Sequence, residues 1–124
     1  MVQENKSLIY GLGLNPSVVG QLSTFFIQLK DIDGENVEGY SRTVSAIVDP
    51  ESENEMKVIG TRVLDKVGLY KISITLNRSG EHDMLLLYCN VPLNSSRQIK
   101  KVVYAGRLLM SMSMIVIFNK CLLL

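Results

Sequence analysis

Side chains that bind metals or carry out redox chemistry are scarce in this chain of 124 residues. There is one histidine, His82, and there are two cysteines, Cys89 and Cys121. The common zinc sites need several histidine or cysteine ligands close together, so the sequence predicts no metal site and no cofactor. A single pair of cysteines is not a disulfide framework, and we expect both thiols to be reduced in a cytoplasmic protein.

Recognisable catalytic motifs are also missing from the sequence. Glu81 and Asp83 flank His82, but neighbours on a strand point to opposite faces of a sheet, which argues against a general-base arrangement. Cys89 has no second histidine to activate it as a nucleophile. Residues 11–13 (Gly-Leu-Gly) lack the third glycine and the following helix of a dinucleotide-binding loop, and there is no P-loop. The sequence therefore predicts that the protein is not an enzyme.

Charge of either sign is not in excess. The chain has 13 Lys and Arg residues and 12 Asp and Glu residues, which give a formal net charge of +1. Proteins that bind a nucleic-acid backbone carry a basic surplus, so we expect no nucleic-acid partner. The first residues contain no charged leader followed by an apolar run, which is the pattern of a signal peptide, and this favours a cytoplasmic location.

The pattern that the sequence does contain is an alternation of apolar and polar residues between turn signals. It is clearest in residues 69–76 and in residues 23–30. The apolar positions of these two segments are Tyr70, Ile72, Ile74 and Leu76 in the first, and Phe25, Ile27 and Leu29 in the second. Such alternation predicts strands of an antiparallel sheet that cover a core with one face.

Five further segments have weaker strand signals, namely residues 7–14, 43–48, 57–64, 82–89 and 99–104. The segment 82–89 is apolar on both faces from Met84 onward, as expected of a central strand. Gly60 interrupts the segment 57–64 and suggests a bulge or a kink there. Seven short strands separated by turns predict an all-β fold, an antiparallel β-sandwich.

Several glycines and strand residues, taken in order, resemble the filamin-type repeat (the filamin/ABP280 family). The matching elements are residues 11–14, Val19 with Gly20, Phe25, Asp31 with Gly34, Asp65 with Gly68 and Tyr70, and Gly80. The resemblance implies a seven-stranded antiparallel immunoglobulin-like β-sandwich over residues 8–106. His82 stands where the family has a buried tyrosine, and residues 95–98 replace its serine-proline-phenylalanine element. The chain therefore resembles a divergent repeat.

Repeats of this family serve as spacers in repeat arrays or bind partner peptides along a sheet edge. By resemblance, the receiving edge is the strand at residues 43–48, and the strand at residues 57–64 forms the other wall of the groove. The candidate peptide-binding residues are Val44, Ser45, Ala46, Ile47, Val48, Val58 and Ile59. The small side chains of Ser45 and Ala46 would leave room for a side chain of the ligand.

The resemblance thus implies a non-catalytic module that binds a protein or an extended peptide, as part of a scaffold or a ubiquitin-ligase adaptor. The catalytic domain of such a ligase would lie outside this chain. One alternative is a structural spacer repeat of an actin-associated crosslinking protein. Another is a membrane-tethered extracellular adhesion domain, which glycans on Asn77 or Asn94 would favour.

Residues 107–124 form an apolar C-terminal appendage that matches no element of the family, and the sequence leaves its structure open. Residues 108–118 are a stretch of 11 residues without charge, whereas a helix that spans a bilayer needs about 20 apolar residues. The appendage has three interpretations: an extra strand or short helix on the sandwich, a weak membrane anchor, or the accidental end of a truncated or alternatively spliced chain. We favour the third, because the predicted repeat is complete without these residues.

Overall fold

The computed structural model describes residue 2 and residues 6–38, 43–93 and 99–105. Within these residues there are ten strands and one short 3-10 helix, Leu12–Leu14. The strands are β1 (Leu8–Tyr10), β2 (Ser17–Val18), β3 (Leu22–Gln28), β4 (Val44–Val48), β5 (Met56–Ile59), β6 (Thr61–Arg62), β7 (Leu69–Thr75), β8 (Gly80–Tyr88), β9 (Val91–Pro92) and β10 (Ile99–Tyr104). No helix in this part of the chain is long and apolar enough to cross a membrane.

The strands form two sheets that pack face to face. The four-stranded sheet has the order β1-β3-β7-β6, and the six-stranded sheet has the order β2-β10-β8-β4-β5, with β9 paired to β8. The predicted all-β, immunoglobulin-like sandwich is therefore confirmed. One pair departs from the antiparallel prediction, because β2 and β10 run parallel, with Val103 opposite Ser17.

Strands β3 and β7 form the apolar half of the core, as their alternation predicts. They pair along their whole length, with Phe25 opposite Ile72 and Ile27 opposite Tyr70. All four of these side chains are buried, whereas the intervening residues, such as Lys71, lie on the outer face. The period-two pattern was a reliable guide here because one face of each strand meets the core and the other faces outward.

Strand β8 lies between β10 and β4 in the centre of the six-stranded sheet, as predicted. It ends at Tyr88, so Cys89 lies just beyond the strand and not inside it, as the predicted strand at residues 82–89 would have placed it. Cys89 and Asn90 have φ values of 52° and 65° and connect β8 to β9. Positive φ at both central residues is the geometry of a two-residue type I′ hairpin turn.

The predicted strand at residues 7–14 is only partly correct. Residues 8–10 form the edge strand β1, but Leu12–Leu14 is a 3-10 helix that crosses β3. Gly13 makes this crossing possible, because a Cβ atom at residue 13 would lie 2.5 Å from backbone atoms of Thr24. The residue that indicates this crossing in the sequence is therefore Gly13, although residues 11–14 were interpreted above only as part of the family resemblance.

The division into a domain at residues 8–106 and an appendage at residues 107–124 stays a prediction. Residue 106 and the appendage lie outside the described residues.

Candidate peptide-binding edge

The predicted site residues on β4 are largely buried. Val44, Ala46 and Val48 point into the core, and Ser45 on the opposite face is only 2% exposed. Ile47 is half-buried on the same face as Ser45. The expected division of faces is therefore correct, but neither Ser45 nor Ala46 has the open space for a ligand side chain that the sequence suggested.

The expectation that β4 is an edge strand is wrong. β4 pairs with β8 on one side and with β5 on the other, and Ala46 lies opposite Val58 in the second pair. The two predicted site residues on β5, Val58 and Ile59, thus belong to the strand that forms the sheet edge. The structure brings all seven predicted residues together in adjacent strands, but it leaves only β5 accessible along its backbone.

Gly60 is the reason why β5 covers β4. The chain pairs with β4 up to Ile59 and then pairs with β7 from Thr61, so it changes sheets at Gly60. A Cβ atom at residue 60 would lie 3.2 Å from the carbonyl oxygen of Val44, which is closer than ordinary van der Waals contact. The predicted kink at Gly60 is confirmed, and it is a crossing from one sheet to the other.

The hydrogen-bond pattern shows which backbone groups of β5 are free. In an antiparallel pair, residues that exchange hydrogen bonds with the partner alternate with residues whose N–H and C=O point away. The N–H of Gly60 donates to the carbonyl oxygen of Val44 at 2.7 Å, which places Val58 and Met56 in the hydrogen-bonded set. The N–H and C=O of Lys57 and Ile59 therefore point to the open side of the sandwich.

A second open edge lies on the same side, in the four-stranded sheet. The N–H of Val63 donates to the carbonyl oxygen of Leu69 at 2.9 Å, and β6 pairs with Tyr70 and Lys71. Within the described residues, no strand pairs with β7 on this side beyond Lys71. By the same alternation, the backbone groups of Ser73 and Thr75 point to the open side.

The outer faces beside these two edges differ in polarity. Next to β5, the outer face of the six-stranded sheet carries Ile59, which is 55% exposed, the exposed Lys57, and the half-buried Ile47 and Leu85. Next to β7, the outer face carries the exposed Ser73 and Thr75. Of these two edges, the β5 edge is the one that has an exposed apolar side chain, Ile59, beside its free backbone groups.

The seam between the two sheets opens into a cavity of about 170 Å³, lined by residues of β4, β5 and the end of β7. His82, which is 3% exposed, is one of the residues that line this cavity. Nδ1 of His82 lies 2.8 Å from Oδ2 of Asp49, and Nε2 lies 2.8 Å from the carbonyl oxygen of Arg78. His82 is thus buried between one partner that is near in the sequence, the carbonyl group of Arg78, and one that is distant, Asp49.

Both neighbours of the His82 ring are acceptors. A neutral imidazole has one N–H and can donate to only one of them, whereas the protonated ring donates to both. Asp49 also accepts a hydrogen bond from the backbone N–H of Asp83 through Oδ1, and the guanidinium of Arg78 lies 3.3 Å from Oδ2. Asp49 thereby joins the loop after β4 to the start of β8, a role that sequence reasoning did not find.

Comparison with protein-family models gives a match to the filamin/ABP280 repeat over residues 2–97. The chain belongs to the filamin repeat family. A search of curated protein sequences finds no significant match.

Two solved structures have folds similar to this filamin repeat. The Lin-41 filamin domain has a TM-score of 0.63 and 20% sequence identity, over 85% of this chain and 98% of that one. The adhesin FdeC of Escherichia coli has a TM-score of 0.65 and 19% identity, over 86% of this chain and 33% of that one. At such identities the likeness shows the fold alone.

Tyr70 lies near the other end of the filamin repeat's seam. Burial, followed by the negative charge of Glu38, raises the pKa of its hydroxyl, while Arg62 acts in the opposite direction. Glu38 forms an ion pair with Arg62 at 2.8 Å between Oε2 and the guanidinium. Tyr70 therefore stays a neutral phenol, which is compatible with its place in the core.

Lys101 is a buried cation of this filamin repeat, with a side chain that is 1% exposed. It lies opposite His82 in the β8–β10 pair, and its ammonium group donates to the carbonyl oxygen of Asn15. Burial lowers the pKa of Lys101. Among the described residues no carboxylate forms an ion pair with it.

The described part of the filamin repeat has no group of three or more His, Cys, Asp or Glu side chains arranged to hold a metal ion. The polar groups around His82 are hydrogen-bonded to one another, and these bonds connect the neighbouring loops to β8. The β5 edge, by contrast, has outward-pointing backbone N–H and C=O groups and an exposed apolar side chain, Ile59.

Proposed function

We propose that this filamin repeat is a non-catalytic interaction module that binds an extended peptide along the outer edge of β5. The observation that carries the proposal is the outward direction of the backbone N–H and C=O groups of Lys57 and Ile59. A peptide strand that pairs with these groups extends the six-stranded sheet by one strand. Alternate side chains of the peptide then lie beside Ile59 and the aliphatic part of Lys57 on the outer face of β5.

The site differs from the one that the sequence suggested. Val58 and Ile59 keep their place in it, since they belong to the edge strand. The predicted residues of β4 lie behind β5, since Ile47 is opposite Lys57 and Ala46 is opposite Val58, so they support the edge strand and do not contact the peptide. Peptide binding at this group of residues stays a prediction.

We further propose that the module serves a cytoplasmic scaffold or a ubiquitin-ligase adaptor. What supports this finer role is the resemblance to single filamin-type repeats that stand beside a catalytic domain. The general role as an interaction module does not depend on it. A structural spacer is the alternative, and it needs no ligand at the β5 edge.

The direct test is selection of a random peptide library displayed on phage against the full chain, followed by titration of a selected peptide into the isotopically labelled protein. Binding at the proposed site shifts the backbone NMR signals of Met56–Ile59. Failure to select any peptide would favour the spacer.

Matched proline variants locate the edge. Lys57→Pro removes an N–H that points outward and leaves the bonds to β4 intact, so the fold persists. It weakens peptide binding by about tenfold or more, because the bound strand loses a backbone hydrogen bond and meets the proline ring. Lys57→Ala keeps the N–H and binds almost normally. If Ser73→Pro weakens peptide binding and Lys57→Pro does not, the peptide binds at β7 and the proposal is contradicted.

A further inference from the structure

The side of the sandwich opposite to β5 carries an apolar groove that the proposed function does not use. β1 pairs only with residues 26–28 of β3. After Tyr10 the chain forms the 3-10 helix, which crosses over Thr24. The first half of β3 therefore has a helix beside it instead of a strand, and a cavity of about 390 Å³ lies between the two.

The walls of this groove combine exposed apolar side chains with the uncharged polar residues Ser17, Gln21, Ser23 and Thr24. Leu12 is 84% exposed and Leu22 is 65% exposed, and Pro16 and Phe26 complete the apolar lining. The ring of Tyr10 stacks on Phe26 with 5.7 Å between the ring centres and extends the apolar surface. None of the residues that line the groove is charged. A contiguous apolar surface of this kind on a small domain marks a place where another segment binds.

The end of β10 brings the chain to one end of the groove. Tyr104 lies opposite Val18 in the β2–β10 pair, and its carbonyl oxygen accepts a hydrogen bond from the N–H of Val19 at 2.9 Å. The side chain of Gln21, which lines the groove, accepts a hydrogen bond from the N–H of Val18 at 3.2 Å. Residue 105 therefore leaves the sandwich beside the groove.

The sequence that follows has a composition that matches the groove. Residues 108–118 are 11 residues, of which two are serines and the others are apolar, and none is charged. From residue 105 to residue 108 the chain can reach about 10 Å, at about 3.3–3.6 Å for each residue. That distance is sufficient to bring residue 108 into the groove from its nearer end.

We propose that residues 108–118 bind in the groove between the 3-10 helix and β3 of the same chain. The apolar segment and the exposed apolar side chains of the groove both lose contact with water when they meet, and no charge is desolvated because the lining is uncharged. The short connection favours binding within one chain over binding between chains, because it keeps the segment at a high effective concentration near the groove.

The experiment uses the full chain with a nitroxide label on a cysteine at residue 113. Cys89→Ser and Cys121→Ser remove the native thiols, and Ser113→Cys supplies the attachment point. If the segment occupies the groove, the nitroxide broadens the amide signals of Leu12 and Leu22, and these signals return when the label is reduced. The amide of Lys57, on the opposite side of the sandwich, keeps its intensity.

Matched substitutions test whether the groove holds the segment. Leu12→Asp together with Leu22→Asp places two charges in the groove and should abolish the broadening there. Both side chains are exposed, so the domain still folds. Ile59→Asp is the control, since it adds a charge at an exposed apolar position on the other side, and it leaves the broadening unchanged.

Three results would overturn the proposal. The first is unchanged signals of Leu12 and Leu22 in the labelled chain, and the second is broadening that persists after the two substitutions in the groove. The third comes from a mixture of two samples of the chain. One carries the nitroxide and no isotope enrichment, and the other is enriched in ¹⁵N and carries no nitroxide. Broadening of the groove signals in that mixture shows that the segment binds a second copy or a shared aggregate. A disulfide within one chain between Gln21→Cys and Met110→Cys would support the proposal independently.

Discussion

The inner faces of the two sheets differ in the polarity of the side chains that they bury. The four-stranded sheet presents Phe25, Ile27 and Ile72 to the core, and these side chains need only be excluded from water. The six-stranded sheet buries His82 and Lys101 side by side, and each of them depends on specific acceptors. The burial of apolar side chains can be predicted from the alternating pattern of the sequence. The burial of polar side chains depends on hydrogen-bond partners that are distant in the sequence and meet only in the folded protein.

The largest expected effect tests the apolar half of this comparison. Phe25→Ala should lower the free energy of unfolding by about 3–5 kcal/mol, because the ring is fully buried. Phe26→Ala, one residue along and on the outer face, should cost about 1 kcal/mol, chiefly through the lost stacking on Tyr10. Urea unfolding of both full-length variants measures the difference. Equal losses would mean that the outer face of β3 is covered as closely as the inner face.

A smaller effect is expected at the polar end of the six-stranded sheet. Asp49→Asn should cost about 1.5–3 kcal/mol, because the amide cannot accept all the hydrogen bonds that the carboxylate receives from His82 and its neighbours. Asn tolerates the positive φ of residue 49, so the backbone is not strained. Asp83→Asn, which affects an exposed ion pair with Lys100, should leave stability unchanged. Similar losses in the two variants would show that Asp49 acts only as a surface charge.

The smallest effect is expected at Lys101 and depends on pH. Burial lowers the pKa of this ammonium group in the folded state, so the unfolded state binds more protons as the pH approaches the ordinary lysine value of 10.5. The free energy of unfolding of the wild type therefore gains a contribution that rises with pH in this range.

Lys101→Met should remove this rise and should be at least as stable as the wild type at neutral pH, since no buried charge remains. Lys100, whose pKa is raised by its bond to Asp83, contributes in the opposite direction in both proteins and cancels from the difference. Urea unfolding at several pH values up to 10.5 gives the two curves. Parallel curves would contradict the role assigned to the buried ammonium group.

The strands that were predicted best from the sequence have one face in the core and the other face in water. β3 and β7 have water on one side and the core on the other, and their alternating residues record this. β10 was predicted with its correct ends, Ile99 and Tyr104, although its inner face includes Lys101.

The candidate site was predicted less well because strand neighbours are not encoded in a strand's own residues. The alternation in residues 44–48 gives the two faces of β4 correctly, but it says nothing about which strand covers its edge. Gly60 predicted a kink, but not that the chain crosses there from one sheet to the other. That crossing depends on the close contact between the backbone of Gly60 and the carbonyl group of Val44. The proposed site therefore lies on β5, one strand away from the strand that the sequence predicted.

The parallel pair of β2 and β10 has a consequence for synthesis on the ribosome. β2 is made early, but its sheet partner comprises Val103 and Tyr104, and Lys101 must also be present to reach Asn15. A nascent chain that stops before residue 99 leaves one edge of β8 without its neighbour, and the end of β8 that holds His82 is then uncovered. Closure of the six-stranded sheet must wait until almost the entire repeat has left the ribosome, so the unpaired edge of β8 is exposed to aggregation during translation.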